Sequence, residues 1–146
     1  MNAKTIFLSI GLLLSLNVYS QNNEDLIRLC IHSYFNGTAY NYIEQIDAAF
    51  HPEAELYLEN RAGELWKLTG QEYSDLFKKN KPGEFNGRYS KIMSIDIEGN
   101  LAMVKAEILY PSINKRFIDV FIVKEVEEGK WQIISKAANS KAIVNE

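Results

Sequence analysis

One cysteine, Cys30, is all the chain has, so no internal disulfide can brace it and the fold must be held by its core. Two histidines, His32 and His51, with no clustered thiols or carboxylates, make no convincing metal site. No glycine-rich phosphate loop and no nucleophile elbow are present, and no cofactor is expected. The formal net charge is −3 and the basic residues are scattered rather than striped. Nucleic acid and anionic membranes are therefore poor partners. No apolar run reaches the roughly 20 residues of a membrane span. Internal repeats, low-complexity stretches and linkers are also missing.

What is present begins with an address. Lys4 precedes an apolar run from Ile6 to Leu16, and Val18-Tyr19-Ser20 supplies small enough residues for cleavage. The pattern predicts a secretory signal peptide over 1–20, cut after Ser20. The mature chain, 21–146, is then an exported protein, periplasmic or secreted, with no membrane contact once the signal is removed. Its length suits a single domain. Cys30 falls on the apolar side of a predicted helix, which makes it a buried, inert thiol.

The periodicity predicts an α+β fold. Asn22 or Asn23 caps a first helix whose apolar stripe is Leu26, Ile27, Cys30, Ile31, Tyr34 and Phe35, with Gly37 as its stop. A second helix carries Tyr42, Ile43, Ile46, Ala49 and Phe50, and His51-Pro52 ends it. Ala54 to Asn60 and Leu65 to Leu68 form a short hairpin. Thr69-Gly70-Gln71-Glu72 matches a capping box and opens a third helix with Tyr73, Leu76 and Phe77. After a polar loop from Lys78 to Gly87, four strands complete the chain: Arg88 to Ile97, Leu101 to Tyr110, Lys115 to Val126 and Trp131 to Ala138. The expectation is three helices from the N-terminal half packed on a curved, mostly antiparallel sheet. The third of these strands is apolar in both phases, Ile118, Val120 and Ile122 alternating with Phe117, Phe121 and Val123. Three helices cover one face only, so the open sheet face is expected to meet a second copy in a homodimer.

This order of elements resembles the NTF2-like superfamily, the cone-shaped fold of ketosteroid isomerases, SnoaL-like cyclases and many binding proteins. Four stretches sharpen the resemblance: Phe50-His51-Pro52-Glu53-Ala54; Ile95 to Ala102 with Lys105-Ala106-Glu107; Phe117-Ile118-Asp119-Val120-Phe121; and Gly129 to Lys136. Together they resemble the Putative lumazine-binding branch across nearly the whole mature chain. The resemblance implies a lumazine- or pterin-like ligand, and places Tyr34, His51, Trp66, Phe117, Asp119 and Tyr73 near the mouth of the cone. It also implies that Phe121, where the branch often has tyrosine, removes one hydroxyl from the site.

Asp119 is the most informative of these residues. A carboxylate inside an apolar strand needs a partner or a purpose, since burying it alone costs on the order of several kcal/mol. Arg116 is three residues away and therefore on the opposite face. Lys136 and His51 are the partners to expect. His51 reads as a helix-end cap or an acid–base group. Tyr34 is either core or a hydroxyl pointed at the pocket. Trp66 is a stacking wall or a lid, and Trp131 is packing.

Three functions are compatible with these residues. A binding domain needs only aromatic walls and a polar anchor. A ketosteroid isomerase-like or SnoaL-like enzyme would use Asp119 with His51 or Tyr34. It also needs an acid on the first strand, where Leu58 stands, while Glu55 and Glu59 occupy the outward phase; no catalytic residue is assigned. A non-catalytic dimeric module with a filled cone is the third. Binding of a small, aromatic molecule requires the least and is the preferred expectation.

Overall fold

The computed structural model describes residues 23–143. The signal peptide expected over 1–20 lies outside them, as does Asn22. Helix α1 occupies residues 23–40, with Ile27, Ile31 and Tyr34 fully buried and Phe35 nearly so. Helix α2 (Ile43–Ala49) comes next, then strands β1 (Phe50–Glu59) and β2 (Leu65–Thr69), and a short helix α3 (Gly70–Asp75). Strands β3 (Tyr89–Glu98), β4 (Leu101–Tyr110), β5 (Lys115–Glu127) and β6 (Lys130–Ala142) complete the chain, with a 3-10 turn at Pro111–Ile113. The sheet is six-stranded and curved, in the order β2-β1-β6-β5-β4-β3. All neighbours are antiparallel except β1 and β6, which run parallel. Among the described residues, no helix is long and apolar enough to cross a membrane.

Two expectations need correction. Three helices are present in the expected order, but only two precede the strands; the third follows the β1–β2 hairpin, so the helices are not all N-terminal to the sheet. The third opens as expected, with Thr69 and Glu72 bonded reciprocally in a capping box.

Gly37 does not stop α1. The helix runs through it because α2 crosses there: a Cβ on Gly37 would lie 2.7 Å from Ile46 Cγ1 and 2.9 Å from Ile46 N. The stop is Asn41, which adopts the left-handed conformation at φ 61°. Its buried Nδ2 donates to the carbonyls of Lys81 (3.2 Å) and Glu84 (2.9 Å), tying the polar loop to the helix end.

His51 and Pro52 do not cap α2 either; they belong to β1. The β1–β6 register breaks between Phe50 and Glu55, and β1–β2 pairing starts at Glu55. Pro52 therefore sits where no ladder bond is required of it. The imidazole Nδ1 of His51 accepts from the amide of Glu53 at 3.2 Å, a local turn contact.

The helices and one sheet face enclose the core. Tyr34, Phe50, Leu56, Val104, Phe121, Val123 and Ile133 are essentially excluded from water. One irregularity in β6 sets the direction of Lys136. Val123 pairs with Ile133, but Ile122 pairs with Ser135, leaving Ile134 as an extra residue. A bulge of this kind shifts the two-residue alternation by one. Beyond it Lys136, opposite Phe121, faces inward and is 3 % exposed.

Candidate functional site

β5 presents Phe117, Asp119 and Phe121 on its core side. Asp119 is flanked in register by Ala106 on β4 and Ala138 on β6, so small side chains stand on both sides of it. The room this leaves belongs to a cavity of about 190 Å³, lined by Leu58, Trp66, Tyr73, Arg88, Phe117 and Asp119, with Lys136, Ala138 and Ser140 from β6 and Glu59 at the exposed rim.

Asp119 is 1 % exposed and pairs with Lys136, whose Nζ lies 3.0 Å from Oδ2. The Tyr34 hydroxyl donates to the same oxygen at 3.1 Å and stands 2.8 Å from the Tyr73 hydroxyl. Oδ1 takes no hydrogen bond among the described residues, and Asp119 lines the cavity. The Lys136 ammonium also lies over the rings of Tyr73 (5.2 Å) and Tyr34 (5.8 Å). Burial pushes the Tyr34 hydroxyl well above its ordinary pKa, and the neighbouring Tyr73 and Asp119 push the same way. At neutral pH it is therefore a donor, never a phenolate. Phe121 packs edge-on against Tyr34 at 5.1 Å, supplying apolar surface where a tyrosine would add a hydroxyl.

The second cation is Arg88, at the entrance to β3. Its guanidinium lies 5.6 Å from the ring centre of Phe77, 5.8 Å from Tyr110 and 5.9 Å from Phe117. Its Nε is buried without a hydrogen-bond partner among the described residues. Burial tends to lower its pKa, but Tyr73, Tyr34 and Asp119 nearby more than offset that and leave it raised, so it stays charged.

Of the residues singled out from the sequence, Trp66, Tyr73, Phe117 and Asp119 meet around this cavity, and Tyr34 lies directly beneath it, bonded to Asp119. His51 does not join them. It lines a separate depression with Asp47, Phe50, Pro52, Gly70 and Gln71, and Lys136 rather than His51 is the partner of Asp119. Trp66 is 38 % exposed and forms a wall of the mouth rather than a lid over the helices. Glu59, assigned to the outward phase, reaches the rim of the cavity. Arg88 escaped sequence reasoning because it comes straight after a polar loop and breaks no apolar pattern. Arg116 pairs with Glu107 at 2.7 Å on the opposite sheet face, as its spacing from Asp119 requires.

The arrangement offers a cationic donor, a carboxylate acceptor and two flat walls. The family model described as "Putative lumazine-binding" matches residues 22–138. An NTF2-like protein of unknown function from Shewanella baltica OS155 superposes with a TM-score of 0.73 at 23% identity, over 86% of this chain and 98% of that one. One from Silicibacter pomeroyi DSS-3 gives 0.73 at 19%, covering 84% and 98%. One from Methylobacillus flagellatus KT gives 0.71 at 26%, covering 82% and 93%. No curated protein sequence matches the chain.

Proposed function

The chain belongs to the Putative lumazine-binding family within the NTF2-like superfamily, and from that premise we propose that it binds a small flat molecule in the Asp119 cavity. One observation carries this reading. Asp119 is locked by Lys136 and Tyr34 through Oδ2 alone, which leaves Oδ1 as a positioned acceptor beside the aromatic walls of Trp66 and Phe117. A ring N–H or O–H donating to that oxygen, with the ring against the walls, satisfies both features. Lumazine- and pterin-like rings have this character. At about 190 Å³ the cavity is smaller than the pockets of drug-sized ligands, which suits one or two rings.

Two observations weigh against acid–base catalysis of the ketosteroid isomerase type. His51 faces a different depression, and Leu58 lines the cavity where the first-strand acid would stand. The open cavity weighs against a wholly filled cone. A homodimer through the outer sheet face belongs to the same reading, supported by Leu101 (42 % exposed) and Met103 (49 % exposed) beside the half-buried Ile118, Val120 and Ile122. So does export, supported by the composition of residues 1–20.

Native mass spectrometry of protein purified from its own host tests the binding reading. A retained small molecule is expected at one per chain, with occupancy falling in Trp66→Ala and Phe117→Ala. A retained mass indifferent to both substitutions would put the ligand elsewhere.

A further inference from the structure

We propose that Arg88 is the anchor of an anionic subsite in this cavity and that the ligand carries a carboxylate; this rests on reading the cavity as the ligand site. Three charges converge on the cavity, the buried Asp119 and Lys136 and the half-buried Arg88 with its buried Nε, and they do not balance. Asp119 and Lys136 neutralise each other at 3.0 Å. Arg88 is left over, with no ion pair and no side-chain hydrogen bond from its guanidinium among the described residues. A half-buried cation with an unpartnered N–H still carries part of the cost of desolvation, which a partner within the fold normally relieves. Among the described residues no such partner is present, and Arg88 lines the cavity. Glu59, the other acid lining the cavity, is exposed at the rim, where water screens it.

The geometry narrows the class of anion. Phe77, Tyr110 and Phe117 lie around the guanidinium at 5.6–5.9 Å and supply an apolar, π-rich setting. Nε is shut away from water, but the Nη groups donate no hydrogen bond among the described residues and remain for a planar acceptor. A carboxylate matches that edge with two parallel hydrogen bonds. A phosphate would call for more donors than one guanidinium, and the Lys136 ammonium is already engaged by Asp119. The ligand this cavity fits is thus a flat ring with a carboxylate on Arg88, its ring between Trp66 and Phe117, and a donor directed at Asp119 Oδ1. Arg88 also borders an outer groove with Tyr40, Phe85 and Tyr89, so a test must separate the two sides of the residue.

Benzoate and its neutral isostere benzamide serve as probes of the full mature chain, by calorimetry and by the ¹⁵N-edited Nε–H resonance of Arg88. Benzoate is expected to bind at least about tenfold tighter than benzamide, from one charge-assisted pair, and to shift the Nε–H resonance. Arg88→Gln is expected to remove that preference. Arg88→Lys, which keeps the charge but not the fork, should recover only part of it. Trp66→Ala should weaken benzoate, while Tyr89→Ala should leave it unchanged. Equal binding of the two probes to the unmodified chain overturns the proposal without reliance on any variant. So does benzoate binding that survives Arg88→Gln in a folded protein, or no benzoate binding at millimolar concentration. A neutral ligand retained from the host, sensitive to Trp66→Ala but not to Arg88→Gln, overturns the anionic subsite and leaves the cavity as the binding site. A retained ligand indifferent to both overturns the site itself.

Discussion

Asp119 and Lys136 each remove the other's cost of burial, and neither is tolerable alone. Lys136→Met leaves a carboxylate without a counter-charge in a nearly water-free setting, and is expected to cost about 3–5 kcal/mol in urea denaturation. Asp119→Ala should cost a similar amount by stranding the ammonium, so its melting temperature falls together with any loss of ligand affinity. The double variant Asp119→Leu/Lys136→Met should recover most of the loss, and a double variant as unstable as the singles would show that the pair is not the cause. Cys30, expected to be buried, is half-buried at the margin of the core. Burial pushes its thiol up to about 12, and Sγ lies 3.5 Å from the Ala49 carbonyl. Ellman's reagent at pH 8 should therefore react negligibly with the native protein and fully in denaturant. Rapid native reaction would contradict this burial. Asp119 could be found from the sequence because a charge interrupts an apolar alternation. Arg88 could not, because nothing about its neighbours in the chain reveals the three rings that gather around it.

Helix α1 and strand β6 each carry one position where a local rule yields to a neighbour. Glycine in a helix interior ordinarily costs about 0.5–1 kcal/mol relative to alanine. Gly37→Ala ought then to stabilise α1. Because its Cβ would meet the backbone and side chain of Ile46 on α2, the opposite is expected: a loss of about 1–3 kcal/mol measured by chemical denaturation. A gain in stability would mean that the helices do not cross so closely. In β6 the extra residue Ile134 turns Lys136 inward. A strict alternation read from Trp131 and Ile133 would have put Ser135 in the core and Lys136 in water. The element boundaries were legible where propensity and pattern agreed, as at β4 and the α3 capping box. They were not legible at Gly37 and at His51-Pro52, where the deciding interactions come from α2 and from the interrupted β1 ladder.

At the scale of the whole molecule, one sheet face is closed by helices and the other is open among the described residues. The open face carries Ile118, Val120 and Ile122 on β5 and Met103 on β4, with Glu107 held between Arg116 (2.7 Å) and Lys91 (2.8 Å). If a second copy covers this face, Val120→Lys at its centre should shift a dimer to monomer in sedimentation velocity. Monomer alone at micromolar concentration in the unmodified chain would defeat the dimer. The hydrogen bonds from Lys91 and then Arg116 hold the Glu107 carboxyl below its ordinary 4.5. Its contribution to stability is therefore fully present above that value and is lost as pH falls through the lowered one. The stability difference between the natural chain and Glu107→Gln should be largest near neutral pH and shrink on acidification below about pH 4.5. A difference unchanged by pH would show that the charge is not what stabilises the triad.

By itself the sequence determined the class of fold, the order of its elements, the family and the oddity of Asp119. Each of these is written in patterns a few residues long, in alternation, capping residues and turns, which the chain must obey wherever it goes. Only the tertiary structure decided that Lys136 is the partner of Asp119, that His51 lies outside the cavity, and that Arg88 stands in it with no ion pair among the described residues. These depend on a one-residue bulge, on a parallel strand pairing between distant segments, and on rings brought together from three parts of the chain. Local pattern carries no information about such meetings, because side chains are paired across the sheet by register and not by sequence distance.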